Sequence, residues 1–91
     1  MTDKPIGIKF TKHATAKMRQ RSIAVEDIRD IVSKPEIVEK DRFDDSLSHF
    51  MGPKKDRYLR VIARRQSENE LLVVSAFYNR RVARRKRHDK D

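Results

Sequence analysis

A phosphodiester of RNA is cleaved without a metal when one group takes the proton of the ribose 2′-hydroxyl and another steadies the charge that builds on the phosphate. His13, Arg60 and Tyr78 have the types and settings for that work. His13 falls in the first turn of a predicted helix, where the positive end of the helix dipole and neighbouring cations favour the neutral, proton-accepting imidazole. Arg60 projects from the middle of a predicted strand whose opposite face is apolar, so its guanidinium would be held rigidly for hydrogen bonds to a phosphate. Tyr78 stands where an apolar strand runs into a block of cations, a place suited to stacking a base or moving a proton. Each has a plain alternative: a capping or surface His, an Arg in a cross-strand ion pair, a Tyr that closes the end of a core.

Around these residues the cations are numerous. Lys12 and Lys17 share a helical side with His13, and Arg80, Arg81, Arg84, Arg85 and Arg87 follow Tyr78 directly. The net charge is +9, and residues 79–91 hold seven of the 23 Lys and Arg against two Asp. Such a block is the electrostatic footprint of a phosphate-backbone binder with salt-sensitive affinity, unless it serves only as a solvated tail or pairs with an acidic protein. The expected ligand is a nucleic acid.

Other chemistries are poorly served. The chain has no Cys, which removes disulfides, thiolate zinc sites and Cys nucleophiles, and its three His are too scattered for a zinc site. With two Gly there is no Gly-rich phosphate loop. Asp41, Asp44 and Asp45 sit at a turn, where Asp is favoured for backbone reasons. His49 shares a face with Leu47 and Met51 and reads as packed; His88 belongs to the tail. No metal and no cofactor is expected. The opening MTDKPIGIKF lacks the n- and h-regions of a signal peptide and no apolar run approaches a membrane span, so the expectation is a cytoplasmic protein with no membrane partner.

The elements that must position these residues follow from periodicity. Hydrophobic residues make up only 36% of the 91 and charged residues 41%, but the apolar ones cluster, which gives a single folded domain over residues 1–79 and a basic tail over 80–91, flexible or in a short helix. Ile6–Phe10 alternates as a short strand. Thr11 caps a helix over Lys12–Arg21, with Ala14 and Met18 on its apolar stripe. Arg21 lies on the stripe's side and is expected to pair with Asp27 or Glu26. A second helix spans Val25–Ser33, weakly started because Ala24 supplies no capping oxygen, and stops at Lys34-Pro35.

The rest reads as strands and turns: Glu36–Phe43, a turn at 44–46, Leu47–Met51, a turn at 52–56, Tyr58–Arg65, a turn at 66–69, and Leu71–Phe77. The last is a continuous apolar run, expected to be the central strand with cover on both faces. A turn centred between Ser67 and Glu68 would pair Val61 with Val74, Leu59 with Ala76, Ile62 with Val73 and Arg60 with Ser75. The fold class is α+β: two N-terminal helices packed on one face of a small, mainly antiparallel twisted sheet.

The segment FTKHATAKMRQRSIAVEDIRDIVSKPEIVEKDR resembles the opening of a small bacterial domain family of unknown function, through His13, Met18, Arg21, Ile23, Val25 and Pro35, with Leu59–Ala63 further on. The ending VVSAFYNRRVARRKRH resembles that of BrnT-type toxins, and both groups are similar to RelE/ParE-like toxins. The resemblance implies the toxin of a toxin–antitoxin pair, a metal-independent endoribonuclease acting on RNA, free or on the ribosome. It implies a cognate antitoxin as partner, and a monomer as the free toxin. The alternative is a basic module without catalysis that binds nucleic acid or the ribosome, or a ParE-like inhibitor of a protein target.

Overall fold

In the computed structural model, which describes residues 7–54 and 56–79, strand β1 (Gly7–Phe10) leads into helix α1 (Lys12–Arg21) and helix α2 (Val25–Ser33). Strands β2 (Ile37–Lys40), β3 (Leu47–Lys54), β4 (Arg57–Ser67) and β5 (Glu70–Asn79) follow. The five strands form one sheet in the order β1-β5-β4-β3-β2. All neighbours are antiparallel except β1 and β5, which are parallel, so the sheet is mixed and the class is α+β. Residues 1–6 and the tail at 80–91 lie outside the described residues.

Both helices have the expected bounds, for local reasons. Thr11 is extended, and its Oγ1 accepts from the Ala14 amide at 3.0 Å. At the other end Ser22 adopts the left-handed conformation, φ 55°, and its amide and that of Ile23 return to the carbonyls of Arg19 and Met18. Ala24 occupies the N-cap of α2 and makes no side-chain capping bond. The helices differ in charge: α1 has no acid among KHATAKMRQR, whereas α2 opens with Glu26 and Asp27 and carries Asp30. Lys54 of β3 donates to Asp30 at 2.7 Å and lies 3.6 Å from Asp27, and these contacts, the Asp30 hydrogen bond foremost, raise its pKa.

Ala14 and Met18 of α1, and Ile28, Ile31 and Val32 of α2, share one core with Phe50, Leu59, Val61, Ala63, Leu71, Val73 and Ala76 of the sheet. The central strand is β4, not β5 as expected. Nor is β5 covered on both faces: Leu71, Val73 and Ala76 are buried, while Leu72, Val74, Ser75 and Phe77 are half-buried.

The expected hairpin register is also corrected. Val61 pairs with Ala76, Leu59 with Tyr78, Ile62 with Ser75 and Arg60 with Phe77. The connection is only Glu68-Asn69, between the paired residues Ser67 and Glu70, so the strands meet further along than a longer turn would allow. Neither loop residue has a positive φ, which rules out the mirror-image turns that match strand twist, and a bulge at Gln66 beside the loop takes up the mismatch. A second bulge leaves Val74 unopposed between Val73, paired with Ala63, and Ser75, paired with Ile62. Side chains normally alternate every residue. At Val74 the alternation resets, so that Leu71 and Val73 face the same core as Ala76 and Tyr78.

Two expected turns are shifted. Gly52-Pro53 belongs to β3, not to a turn. A Cβ on Gly52 would come within 3.1 Å of Ile31 Cδ1, so glycine lets α2 lie close to the strand. Pro53 lies beyond the last β2 pairing, Ile37 with Met51, where a missing N–H costs no ladder bond to β2. The expected strand through Phe43 ends instead at Lys40 and gives way to a loop over 41–46.

The uncapped start of α2 yields a test. Ala24→Ser, at an exposed and already extended position, is expected to stabilise the fold by about 1 kcal/mol, read as a higher urea midpoint at unchanged slope.

Candidate functional site

The parallel partner β1 covers only Glu70–Val73, and from Val74 on the outer edge of β5 has no strand neighbour among the described residues. The end of α1 lies beside this stretch. Arg21 Nη1 donates to the Ala76 carbonyl at 2.9 Å, and its guanidinium carbon is 5.8 Å from the centre of the Phe77 ring. The expected partners on α2, Asp27 and Glu26, do not take it; Ser22 turns the chain away there, and a strand carbonyl without a ladder partner is the nearer acceptor.

Alternation then separates the two aromatic residues that end β5. Phe77 points to the open face with its cross-strand partner Arg60, and Tyr78 to the helix side with Leu59. Arg57, at the start of β4, stacks over Tyr78 with its guanidinium carbon 4.1 Å from the ring centre. Arg21, Arg57, Phe77 and Tyr78 together line an open cleft of about 430 Å³. Two guanidiniums and two aromatic rings around one hollow can hold a flat π-system by stacking and an anion by charge-assisted hydrogen bonds.

On the open face, a chain of hydrogen bonds reaches Arg60. Arg60 Nη1 lies 2.6 Å from His49 Nδ1, and His49 Nε2 lies 2.7 Å from Asp41 Oδ1. A guanidinium has only donors, so Nδ1 must accept and the ring proton sits on Nε2, facing the carboxylate. Asp41 is fixed in turn: its Oδ2 accepts from the amides of Phe43 and Asp44, both at 3.0 Å. The hydrogen bond from His49 first, and then that of the Phe43 amide, lower the Asp41 pKa. Asp44 is lowered too, by the Ser46 hydroxyl above all. Arg64 ties this loop to β4, with Nε donating to Ser46 Oγ at 3.1 Å and Nη2 3.5 Å from Asp44. Asp41 and Asp44 thus accept from loop amides, as the sequence suggested for them, and also hold side chains, His49 for Asp41 and Ser46 and Arg64 for Asp44. Among the described residues no group of three or more His, Asp or Glu is arranged to hold a metal ion.

Of the sequence-derived candidates, Tyr78 lines the cleft and Arg60 adjoins it, their side chains on opposite faces of neighbouring strands. His13 joins neither. It is exposed at the first turn of α1, eight residues before Arg21, about 12 Å along the axis at the usual helical rise. It belongs to the helix layer, not to the mixed face of Arg60. Lys12 is exposed and Lys17 half-buried on the same helix, which runs from them to Arg21 at the cleft. Arg80, Arg81, Arg84, Arg85 and Arg87 lie outside the described residues. Sequence reasoning missed Arg57 altogether, set Arg21 aside as structural, and read His49 as merely packed. Strand alternation was the available signal for His49, since it shares a face with Arg60 once the β3–β4 register is known.

Residues 10–78 match the family described as Domain of unknown function (DUF4258). The chain belongs to this family. The match takes in α1, α2, every strand from β2 to β4 and all of β5 but its last residue, and so every residue of the cleft and of the Asp41–His49–Arg60 chain. No curated protein and no solved structure matches the chain. Among the described residues no helix is long and apolar enough to cross a membrane.

A carboxylate whose pKa is lowered by folding stabilises the fold above its unfolded pKa, and that contribution disappears as pH falls through the folded value. Asp41→Asn is therefore expected to be less stable than the wild type at about pH 6, with the gap shrinking once the pH falls below the ordinary Asp value near 3.9. Urea unfolding over a pH series checks this. A gap unchanged down to about pH 2 would show that the ionised carboxylate contributes nothing.

Proposed function

We propose that this protein is an RNA-binding toxin of a toxin–antitoxin pair, with a RelE-like arrangement, that cleaves RNA by attack of a ribose 2′-hydroxyl on its own phosphate. The observation that carries this reading is the cleft of Arg21, Arg57, Phe77 and Tyr78 at the outer edge of β5. Its lining pairs cations with aromatic faces, the combination by which single strands are gripped without regard to sequence. Helix α1 supports it with a surface free of acids, running from Lys12 past Lys17 and Arg19 to the cleft. The basic residues from Arg80 to Arg87 continue directly from β5 and would extend the grip along the backbone. Arg21 and Arg57 would steady the charge on the phosphate, and the Tyr78 hydroxyl would carry the proton.

One observation favours a second reading, a basic module that binds RNA or a protein target without catalysis. Among the described residues no imidazole lines the cleft: His13 stands at the far end of α1, and both ring nitrogens of His49 are engaged. The two readings separate in one experiment. Induced expression in bacteria, alone and with the neighbouring small reading frame, is followed by mapping of RNA ends. The first reading expects growth arrest with new RNA ends, relieved by the partner; arrest without cleavage selects the second; neither arrest nor cleavage overturns the toxin.

For the cleft itself, Arg21→Ala and Arg57→Ala should each weaken binding of a single-stranded RNA and lower the salt slope of log K by about one. Tyr78→Phe keeps the stacking ring and removes the hydroxyl. It should slow cleavage on the order of a hundredfold while leaving binding within about twofold, measured by filter binding and single-turnover cleavage.

A further inference from the structure

Arg60 is held by an imidazole on the open face of the sheet. Among the described residues no carboxylate lies within 4.0 Å of it, although Lys9, Lys54 and Arg64 all have one. Its hydrogen bond goes to His49, and its Nε is buried without a partner. A cation held this way retains its charge. An imidazole with its proton on Nε2 is a neutral acceptor, so it fixes the direction of the guanidinium and cancels none of it; a carboxylate would do both. The negative charge of Asp41 is one residue removed, engaged with His49 Nε2 and with the amides of Phe43 and Asp44.

The direction matters because of Phe77. Its ring centre is 5.9 Å from the Arg60 guanidinium carbon and 5.8 Å from that of Arg21, so one ring stands between two cations, Arg21 at the cleft and Arg60 on the open face. Ser75 and Ile62 continue the open face beside them, and neither adds charge.

We propose that Arg60 is a second phosphate subsite and that His49 and Asp41 are positioning residues that aim it. The inference rests on the reading that the cleft takes RNA, and it adds the ligand unit. That unit is a nucleotide within a strand, its base beside Phe77, one of its phosphates at Arg21 and the next at Arg60.

The test titrates the full chain by calorimetry with a nucleoside 5′-monophosphate, the corresponding 3′,5′-bisphosphate and a short single-stranded RNA. The bisphosphate is expected to bind about tenfold tighter than the monophosphate, the return on one charge-assisted contact. Arg60→Ala brings the bisphosphate down to the monophosphate's affinity. Arg60→Lys, which keeps the stem and the charge and so guards against a folding defect, loses most of the difference because the planar fork is gone. His49→Ala and Asp41→Asn shrink it to about threefold or less, and His49→Gln, whose amide oxygen still accepts from Arg60, restores it. A merely structural His49 would show no such rescue. Equal binding of the two nucleotides by a wild type that still binds RNA overturns the second subsite and leaves the cleft reading standing. Failure to bind RNA or either nucleotide overturns both. A full bisphosphate advantage in His49→Ala overturns the positioning role.

Discussion

One unopposed residue, Val74, decides what each half of β5 can do. Up to Val73 the strand is a wall of the core, paired on both edges. Beyond it the alternation has been reset and β1 has ended, so among the described residues the same strand has one edge bare of strand neighbours and sends Phe77 and Tyr78 to different faces. Without the bulge, strict alternation would put Leu71 and Val73 on the open face whenever Ala76 faced the helices. The core would lose two of its fully buried side chains. The bulge lets the first half satisfy packing and leaves Phe77 and Tyr78 of the second half to line the cleft.

The other constraint is what to do with an arginine near the middle of a sheet. Arg60 is flanked by Leu59 and Val61, both fully buried, so its backbone is fixed by the core and its side chain has no freedom to reach solvent acids along the strand. It pairs across the strands with Met51 on one side and Phe77 on the other, and neither offers an acceptor. His49, on the diagonal, supplies the hydrogen bond that is reachable, and the loop at 41–46 is folded so that Asp41 holds the ring in the accepting tautomer. The loop's Asx-type bonds, the Arg64 contacts and the Asp41–His49 bond are one arrangement, built outward from β4.

Much of this was legible in the residues. Thr11, Pro35 and the spacing of Ala14, Met18, Ile28, Ile31 and Val32 placed both helices, because caps and a 3.6-residue period are local signals. The strands were found as well, since alternation over Leu59–Ala63 is equally local. Register was not, for it depends on bulges at Gln66 and Val74 that carry no composition of their own. That shift moved the neighbour of Arg60 from Ser75 to Phe77. Reading Gly52-Pro53 as a turn cut β3 short, which hid the diagonal from His49 to Arg60. Arg57 was overlooked because its role comes from Tyr78 across the hairpin, a pairing visible only once the loop is known to be Glu68-Asn69.

The helices also divide the charge of the molecule between them. Helix α1 carries Lys12, Lys17, Arg19 and Arg21 with no acid, while α2 carries Glu26, Asp27 and Asp30 with a single Arg29. The two lie over one core, so the described residues have a positive flank and a flank close to neutral or negative, and contribute a dipole along that direction. A polyanion approaching from afar exerts a torque on such a body before any contact forms, turning the α1 flank and the cleft at its end toward it. Encounter would then be faster than random collision and oriented from the start, and dissolved salt, by shortening the range of that torque, would slow arrival as well as weaken the hold.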